Sequence, residues 1–361
     1  MILLLVVAIL AVDGAYLYVR GKLNKIPRIA VAGLQPADAG DPQNILVAGS
    51  DTRAGESAAA AAQFGTTGDV SGQRSDTIVL IHVDPRTAQA ALLSIPRDMF
   101  VPIAGTRTSN RINAAFNSPG QLVATITQDF GIAINHYVQE DFGGLQALTD
   151  AVGGVCMNFP LPVRDSSPTG RGSETHLAIP TAGPHVLNGA DALAFVRSRY
   201  YQYFDKGSWH PEGTGDIGRI ERQHEFIRAL ASKAVHSAHD PFTGARVLDR
   251  AVRVLTVDDT LSSDVMLRMG IKLRSFHPAN VPSFTLPYQI ANGYRGFGDV
   301  LLPQAAQDAQ VIAAWQNYGA PASPQVPSST APPTTKRTAA PPPTATTSTT
   351  SPRPPWDPTA C

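Results

Sequence analysis

The stretch Arg74–Asp98, RSDTIVLIHVDPRTAQAALLSIPRD, decides the fold. Thr77 to Val83 is an apolar strand, Asp84-Pro-Arg-Thr is a tight turn, and Ala88 to Ile95 is a second strand. A turn that short makes the two antiparallel. Upstream, Asn44-Ile-Leu-Val-Ala-Gly reads as a third strand. If it also runs antiparallel to Thr77–Val83, three chain points meet at one sheet edge. They are Gly49-Ser-Asp-Thr-Arg53, Arg74-Ser-Asp76 and Pro96-Arg-Asp98. The Gly/Ala-rich segment from Ala54 to Gln73 would loop out of that edge. Asp51, Asp76, Arg97 and Asp98 thereby become neighbours. Taken singly, each is a turn residue or a strand cap. Together, carboxylates beside a guanidinium suit a hard divalent cation bound with a phosphate.

Helical spacing appears at Gln121–Phe130, Leu145–Val152, Ala190–Arg197, Ile217–Val235, Asp264–Phe276 and Ala305–Trp315, with a late strand over Val281–Tyr288. Strands interleaved with helices predict an α/β fold, a layered α/β/α domain with a central mixed sheet, over residues 44–319.

A second cationic cluster lies downstream. Arg197 and Arg199 close one helix, and Asp216-Ile-Gly-Arg-Ile-Glu-Arg-Gln opens the next. Arg219, Arg222 and Gln223 fall at i, i+3 and i+4, on one face. Guanidinium forks at a helix start add to the positive end of its dipole. The plain alternative is a solvated basic face with Glu221 pairs, against which the tight apolar flanks argue.

The chain has 361 residues, with 29 Lys+Arg against 29 Asp+Glu. Zero formal charge argues against a nucleic-acid binder. The nine His show no HExxH spacing and read as structural. Met1–Val19 is near the ~20 apolar residues that span a bilayer. A cleaved signal peptide is the rival, but the basic residues Arg20, Lys22, Lys25 and Arg28 follow the run rather than precede it. The expectation is a transmembrane anchor over 1–19 and a linker over 20–43. The positive-inside rule alone would place the following side in the cytoplasm, so a basic tail upstream of Met1 is expected. From Ala320 to Cys361, 12 of 42 residues are Pro, mixed with Thr, Ser and Ala, which predicts a disordered spacer. Cys156 and Cys361 either pair across that tail in an exported protein or stand apart.

The ordered set GSDTR, RSDTIVLIHVD, SIPRD, RINAAF, HVLNGADALAFVRSR and GDIGRIERQ resembles the LytR-CpsA-Psr family of envelope enzymes, over roughly Asn44 to Val235. The resemblance implies an anchored, single-pass membrane protein with its catalytic domain on the extracytoplasmic side. It implies a Mg²⁺- or Mn²⁺-dependent phosphotransferase. Such an enzyme moves a glycopolymer from a polyprenyl-pyrophosphate carrier to peptidoglycan through a phosphodiester. Carried over by position, Asp51 and Asp76 would hold the metal. Arg74 and Arg97 would hold pyrophosphate oxygens, and Asp98 would orient Arg97 or act near the incoming hydroxyl. Arg197, Arg199, Arg219 and Arg222 would grip the head group, Gln223 would hydrogen-bond it, and Arg111 would lie at the rim. Apolar stretches between the motifs would line a slot for the polyprenyl tail. Tyr200–Gly215, rich in aromatics, departs from the family pattern and is expected as a lid over sugar or lipid. An Ala- and Arg-rich chain fits an actinobacterium, where arabinogalactan would be the polymer. A pyrophosphate hydrolase and a non-catalytic envelope regulator are the alternatives.

Overall fold

The computed structural model describes residues 16–50, 75–167, 175–213, 216–237, 240–273, 277–278, 281–319 and 358–361. A seven-stranded sheet forms the centre. Its order is β1 (Arg28–Ile29), β14 (Leu255–Asp258), β7 (His136–Asp141), β2 (Gln43–Ser50), β3 (Ser75–Asp84), β4 (Gln89–Ser94) and β15 (Ser283–Thr285). The β3–β4 pair is antiparallel, as the short turn requires, and β2–β3 is antiparallel too, whereas β2–β7 and β4–β15 are parallel. The sheet is therefore mixed. Helices follow in chain order as α1 (Pro119–Phe130), α2 (Phe142–Ala151), α3 (Gly189–Arg197), α4 (Asp216–Ser237), α5 (Pro241–Val254), α6 (Ser263–Lys272) and α7 (Ala305–Gln316).

Strand alternation divides the sheet between two cores. Leu46, Ala48, Ile78, Leu80, Ala91 and Leu93 point to one side and are buried against Leu122, Val123 and Ile126 of α1 and Trp315 of α7. Each Leu or Ile so buried contributes about 1.5–3 kcal/mol relative to exposure. Trp315 also donates its indole N–H to the Ala91 carbonyl at 2.9 Å, so its one polar group is satisfied inside. Val79, Val83, Ala90 and Leu92 point to the other side, with Val252 of α5, Met269 of α6 and Ile26. Helices on both faces make the α/β/α layering.

A third core lies beside the sheet. One small sheet pairs β8 (Val155–Phe159) with β11 (Gly183–Leu187) and β18 (Thr359–Ala360). A second has the order β10 (Ala178–Ile179), β9 (Val163–Asp165), β12 (Tyr201–Asp205), β13 (Ser208–Pro211). Phe159, Phe195, Tyr201 and Phe226 are buried there, with Phe195 edge-on to each of the other three. Two hairpins complete the fold: β5 (Phe100–Pro102) with β6 (Ser109–Arg111), and β16 (Tyr288–Ala291) with β17 (Val300–Pro303).

The expected linker over 20–43 is part of the domain instead. Residues 16–23 are helical, Ile26 is buried, and β1 pairs with β14. Arg20 and Lys22 form ion pairs with Asp264 and Asp249. Among the described residues no helix is long and apolar enough to cross a membrane, and residues 1–15 of the expected anchor lie outside them. Cys156 and Cys361 are joined by a disulfide, and β18 pairs with β8 beside it. The last residues are thus tied back to the domain. Of the expected disordered tail, 320–357 lies outside the described residues.

Candidate functional site

The strand ends converge as the sequence geometry requires. Gly49 pairs with Thr77 and Ser50 with Ser75, with a register shift between the two pairs. The Ile95 N–H donates to the Ile78 carbonyl at 2.9 Å, which brings the exit of β4 to the same end. Asp76 lies in β3 at that shift. Asp51 and Arg74 fall outside the described residues, as does the side chain of Asp76. The structure adds an acid that the sequence reading passed over: Asp141, the last residue of β7, is the register partner of Ser50. Its signal was the acidic end of His-Tyr-Val-Gln-Glu-Asp.

Asp98 stands between two guanidiniums. Its carboxylate lies 3.4 Å from Arg97 Nε and 3.5 Å from Arg111 Nε. Arg111 is at the rim, in β6, where its Nη2 donates to the carbonyls of Phe297 and Asp299. The Asp98 carbonyl accepts from the Leu301 N–H at 3.1 Å. Backbone and side-chain bonds thus fix this loop on both sides, so the Arg97 fork leaves β4 in a defined direction.

Three consecutive residues of α4 join the two cationic clusters. Arg222 Nη2 donates to the Ser198 carbonyl at 2.6 Å, and Gln223 Nε2 to the Val196 carbonyl at 3.2 Å. His224 Nε2 shares a 2.6 Å hydrogen bond with Ser94 Oγ, three residues before Arg97. The start of α4 is therefore tied to the end of α3 and the end of β4 together. These bonds link the helix that bears Arg219 to the chain at 196–198 and to β4 three residues before Arg97.

The members of that cluster differ in what they can still do. Arg222 is only 1% exposed, forms an ion pair with Glu212 and covers the Tyr201 ring at 4.4 Å. Expected to grip a head group, it has its fork on Glu212 and the Ser198 carbonyl in this structure. Likewise the Gln223 amide N–H serves the Val196 carbonyl. Arg219 is buried, Arg197 half-buried and Arg199 exposed. A row from interior to surface can place forks at successive depths of a bound polyanion.

The expected lid, Tyr200–Gly215, contains the paired hairpin β12–β13, attached to the domain through β9. Tyr201 is in the core, and Trp209 lies tilted against Phe204 and carries the Arg164 guanidinium 4.2 Å over its ring. These three aromatics are thus engaged within the protein.

Burial keeps His224 neutral and lowers its pKa to about 4, with Arg228 adding to the effect. A charged imidazole there would lose its hydration and stand beside the Arg228 cation, so the ring stays neutral.

Among the described residues no group of three or more His, Cys, Asp or Glu is placed to hold a metal ion. The strand register nevertheless sets Asp76 and Asp141 on either side of Ser50, whose next residue is Asp51. Aspartate carboxylates are oxygen donors of the type a hard divalent cation takes.

Fold and site together define a mixed α/β domain in which α4 is tied to the chain at 196–198 and to the central strand β4. The LytR_cpsA_psr family model matches residues 19–313, and the chain belongs to that family. It is 35% identical over 274 residues to the probable cell wall biosynthesis protein LcpB of Corynebacterium glutamicum, covering 75% of this chain and 60% of that protein. It is 32% identical over 237 residues to the polyisoprenyl-teichoic acid–peptidoglycan teichoic acid transferase TagU of Enterococcus faecalis, covering 65% and 67%. Its fold is similar to that of a LytR-Csp2A-Psr enzyme from Actinomyces oris, with a TM-score of 0.61 at 21% identity over 81% of this chain and 96% of that one.

Proposed function

We propose that the chain transfers a glycopolymer from a polyprenyl-pyrophosphate carrier to peptidoglycan. The carrying observation is the junction of residues 222–224, which ties the arginine-bearing end of α3 to the exit of β4 with Arg97 and Asp98. The activities of the relatives support the same reading. A hydroxyl oxygen of peptidoglycan attacks the phosphorus next to the glycan. The bond from that phosphorus to the bridging oxygen breaks, and polyprenyl phosphate leaves with the electron pair and takes up the proton that the hydroxyl loses. Arg97, Arg197, Arg199 and Arg219 hold the diphosphate and meet the charge that builds on its oxygens. Asp98 orients Arg97 and Arg111. Asp51 and Asp76, with Asp141 beside them, would hold Mg²⁺ or Mn²⁺, which neutralises diphosphate charge when bound.

In this reading Met1–Val19 anchors the chain in the cell membrane and the domain works on the extracytoplasmic side. The Cys156–Cys361 disulfide supports that placement, because such bonds persist in oxidising compartments. The test is an assay of purified protein with carrier-linked glycan and peptidoglycan. Phosphodiester-linked polymer supports transfer, whereas free glycan phosphate supports the hydrolase alternative.

A further inference from the structure

A second cationic cleft lies away from the strand ends, between the helix at 16–23 and α5. Its volume is about 640 Å³, and its lining includes Tyr18, Lys22, Arg246, Arg250 and Arg253, with the carboxylates of Asp150 and Asp249. Asp249 is already engaged by Lys22 at 2.6 Å and by Arg253 at 2.8 Å. Asp150 accepts the Gly189 N–H at 2.8 Å. Two carboxylates against four cations leave the cleft positive, with Arg246 and Arg250 exposed.

The α5 sequence explains the arrangement. Phe242, Arg246, Arg250 and Arg253 fall at i, i+4, i+8 and i+11, one stripe of a helix. The opposite side carries Leu248 and Val252 into the core under the sheet. Large apolar groups are exposed around the cations: Phe242 at 83%, Leu17 at 62% and Tyr18 at 48%. Tyr18 and Lys22 also continue directly from the apolar run Met1–Val19. Aromatic rings interleaved with cations at the end of an apolar segment are what a lipid headgroup layer accommodates.

We propose that this cleft binds the phosphate headgroup of an anionic membrane lipid. The proposal rests on the reading of Met1–Val19 as an anchor, which places the cleft at the bilayer surface. An acidic glycan would meet the same cations, but nothing in its chemistry calls for the exposed Phe242 and Leu17 beside them.

The test uses the full chain with nanodiscs and vesicles of phosphatidylcholine, with and without phosphatidylglycerol. Hydrogen exchange of 241–254 and native mass spectrometry of retained lipid are the readouts. Phosphatidylglycerol should slow exchange in α5 and be retained selectively. The R246Q/R250Q chain, with both substitutions at exposed positions, should bind it roughly 20- to 30-fold more weakly, at about 1 kcal/mol per cation near an anionic surface. Added salt should weaken binding in the parent chain. Equal retention of the two lipids, an unaffected double variant, or protection by inorganic phosphate or soluble teichoic acid alone would overturn the proposal. Insertion into phosphatidylcholine nanodiscs reports the anchor separately. If insertion fails while phosphatidylglycerol vesicles still protect α5, the anchor reading falls and the lipid site stands.

Discussion

Ser94 Oγ and His224 Nε2 share a 2.6 Å hydrogen bond between β4 and α4, with both side chains buried. This bond links the scaffold of the central sheet to the helix that carries Arg219. It also makes the scaffold sensitive to acid.

The His224 pKa falls from about 6.5 in an unfolded chain to about 4 in the fold. Between these values the unfolded chain binds the extra proton. The stability due to neutral His224 is therefore complete above pH ~6.5 and is lost as pH falls towards 4, by roughly 3 kcal/mol. Urea unfolding from pH 7 down to 4 should show this slope, and His224→Gln should flatten it. Equal slopes in both proteins would remove His224 from the account.

Arg222 and Arg199 should separate stability from turnover. Glu212→Gln or Arg222→Ala breaks a buried ion pair and should cost about 3–5 kcal/mol, read by denaturant midpoint. Arg199→Ala alters an exposed side chain and should leave stability within about 0.5 kcal/mol, yet depress polymer transfer. A stable, inactive Glu212→Gln protein would instead argue for a direct role of this pair in binding substrate.

Asp98 aims two forks, so Asp98→Asn should misdirect both Arg97 and Arg111. Transfer should fall roughly hundredfold, the scale for misplaced catalytic groups, with the melting temperature nearly unchanged. Full activity in this variant would mean that the forks find their position without the carboxylate.

The Cys156–Cys361 bond closes a span of 205 residues. Cys361→Ser, or reduction, should lower stability by about 2–4 kcal/mol and loosen β18 from β8. Thermal unfolding with and without reductant measures the first, and hydrogen exchange of 155–159 and 358–361 the second. An unchanged melting curve on reduction would show that the strand pairing holds without the bond.

The central strands were legible because Thr77–Val83 and Ala88–Ile95 flank a short turn, which fixes their direction and the meeting of their ends. The missed elements are of two kinds. Helix α5 follows Asp240, whose carboxylate caps the N–H groups of Phe242 and Thr243, with Pro241 at the first helical position. That start signal was present, but the stripe of arginines hid an apolar face narrowed to Leu248, Ala251 and Val252. Strands such as β9 and β10 are two or three residues long, too short for alternation to register. In the site, the placing of Arg219 and Arg222 on one helix, α4, followed from spacing. The commitment of Arg222 to Glu212 did not, because Glu212 lies just past the β12–β13 hairpin, ten positions before Arg222 and outside its helix. Spacing on a helix places both guanidiniums on one face but says nothing of which one meets a carboxylate.

Orientation rules tally basic residues flanking an apolar segment as if all were solvated. Here Arg20 and Lys22, two of the four cations after Val19, are neutralised by Asp264 and Asp249 of the folded body. Half of the apparent topogenic charge thus belongs to tertiary structure. The same two bridges dock the helix at 16–23 onto α5 and α6, so under the proposed anchoring the domain rides on its leader in one fixed attitude rather than swinging on a tether. The height of the strand ends above the bilayer then becomes a built-in dimension.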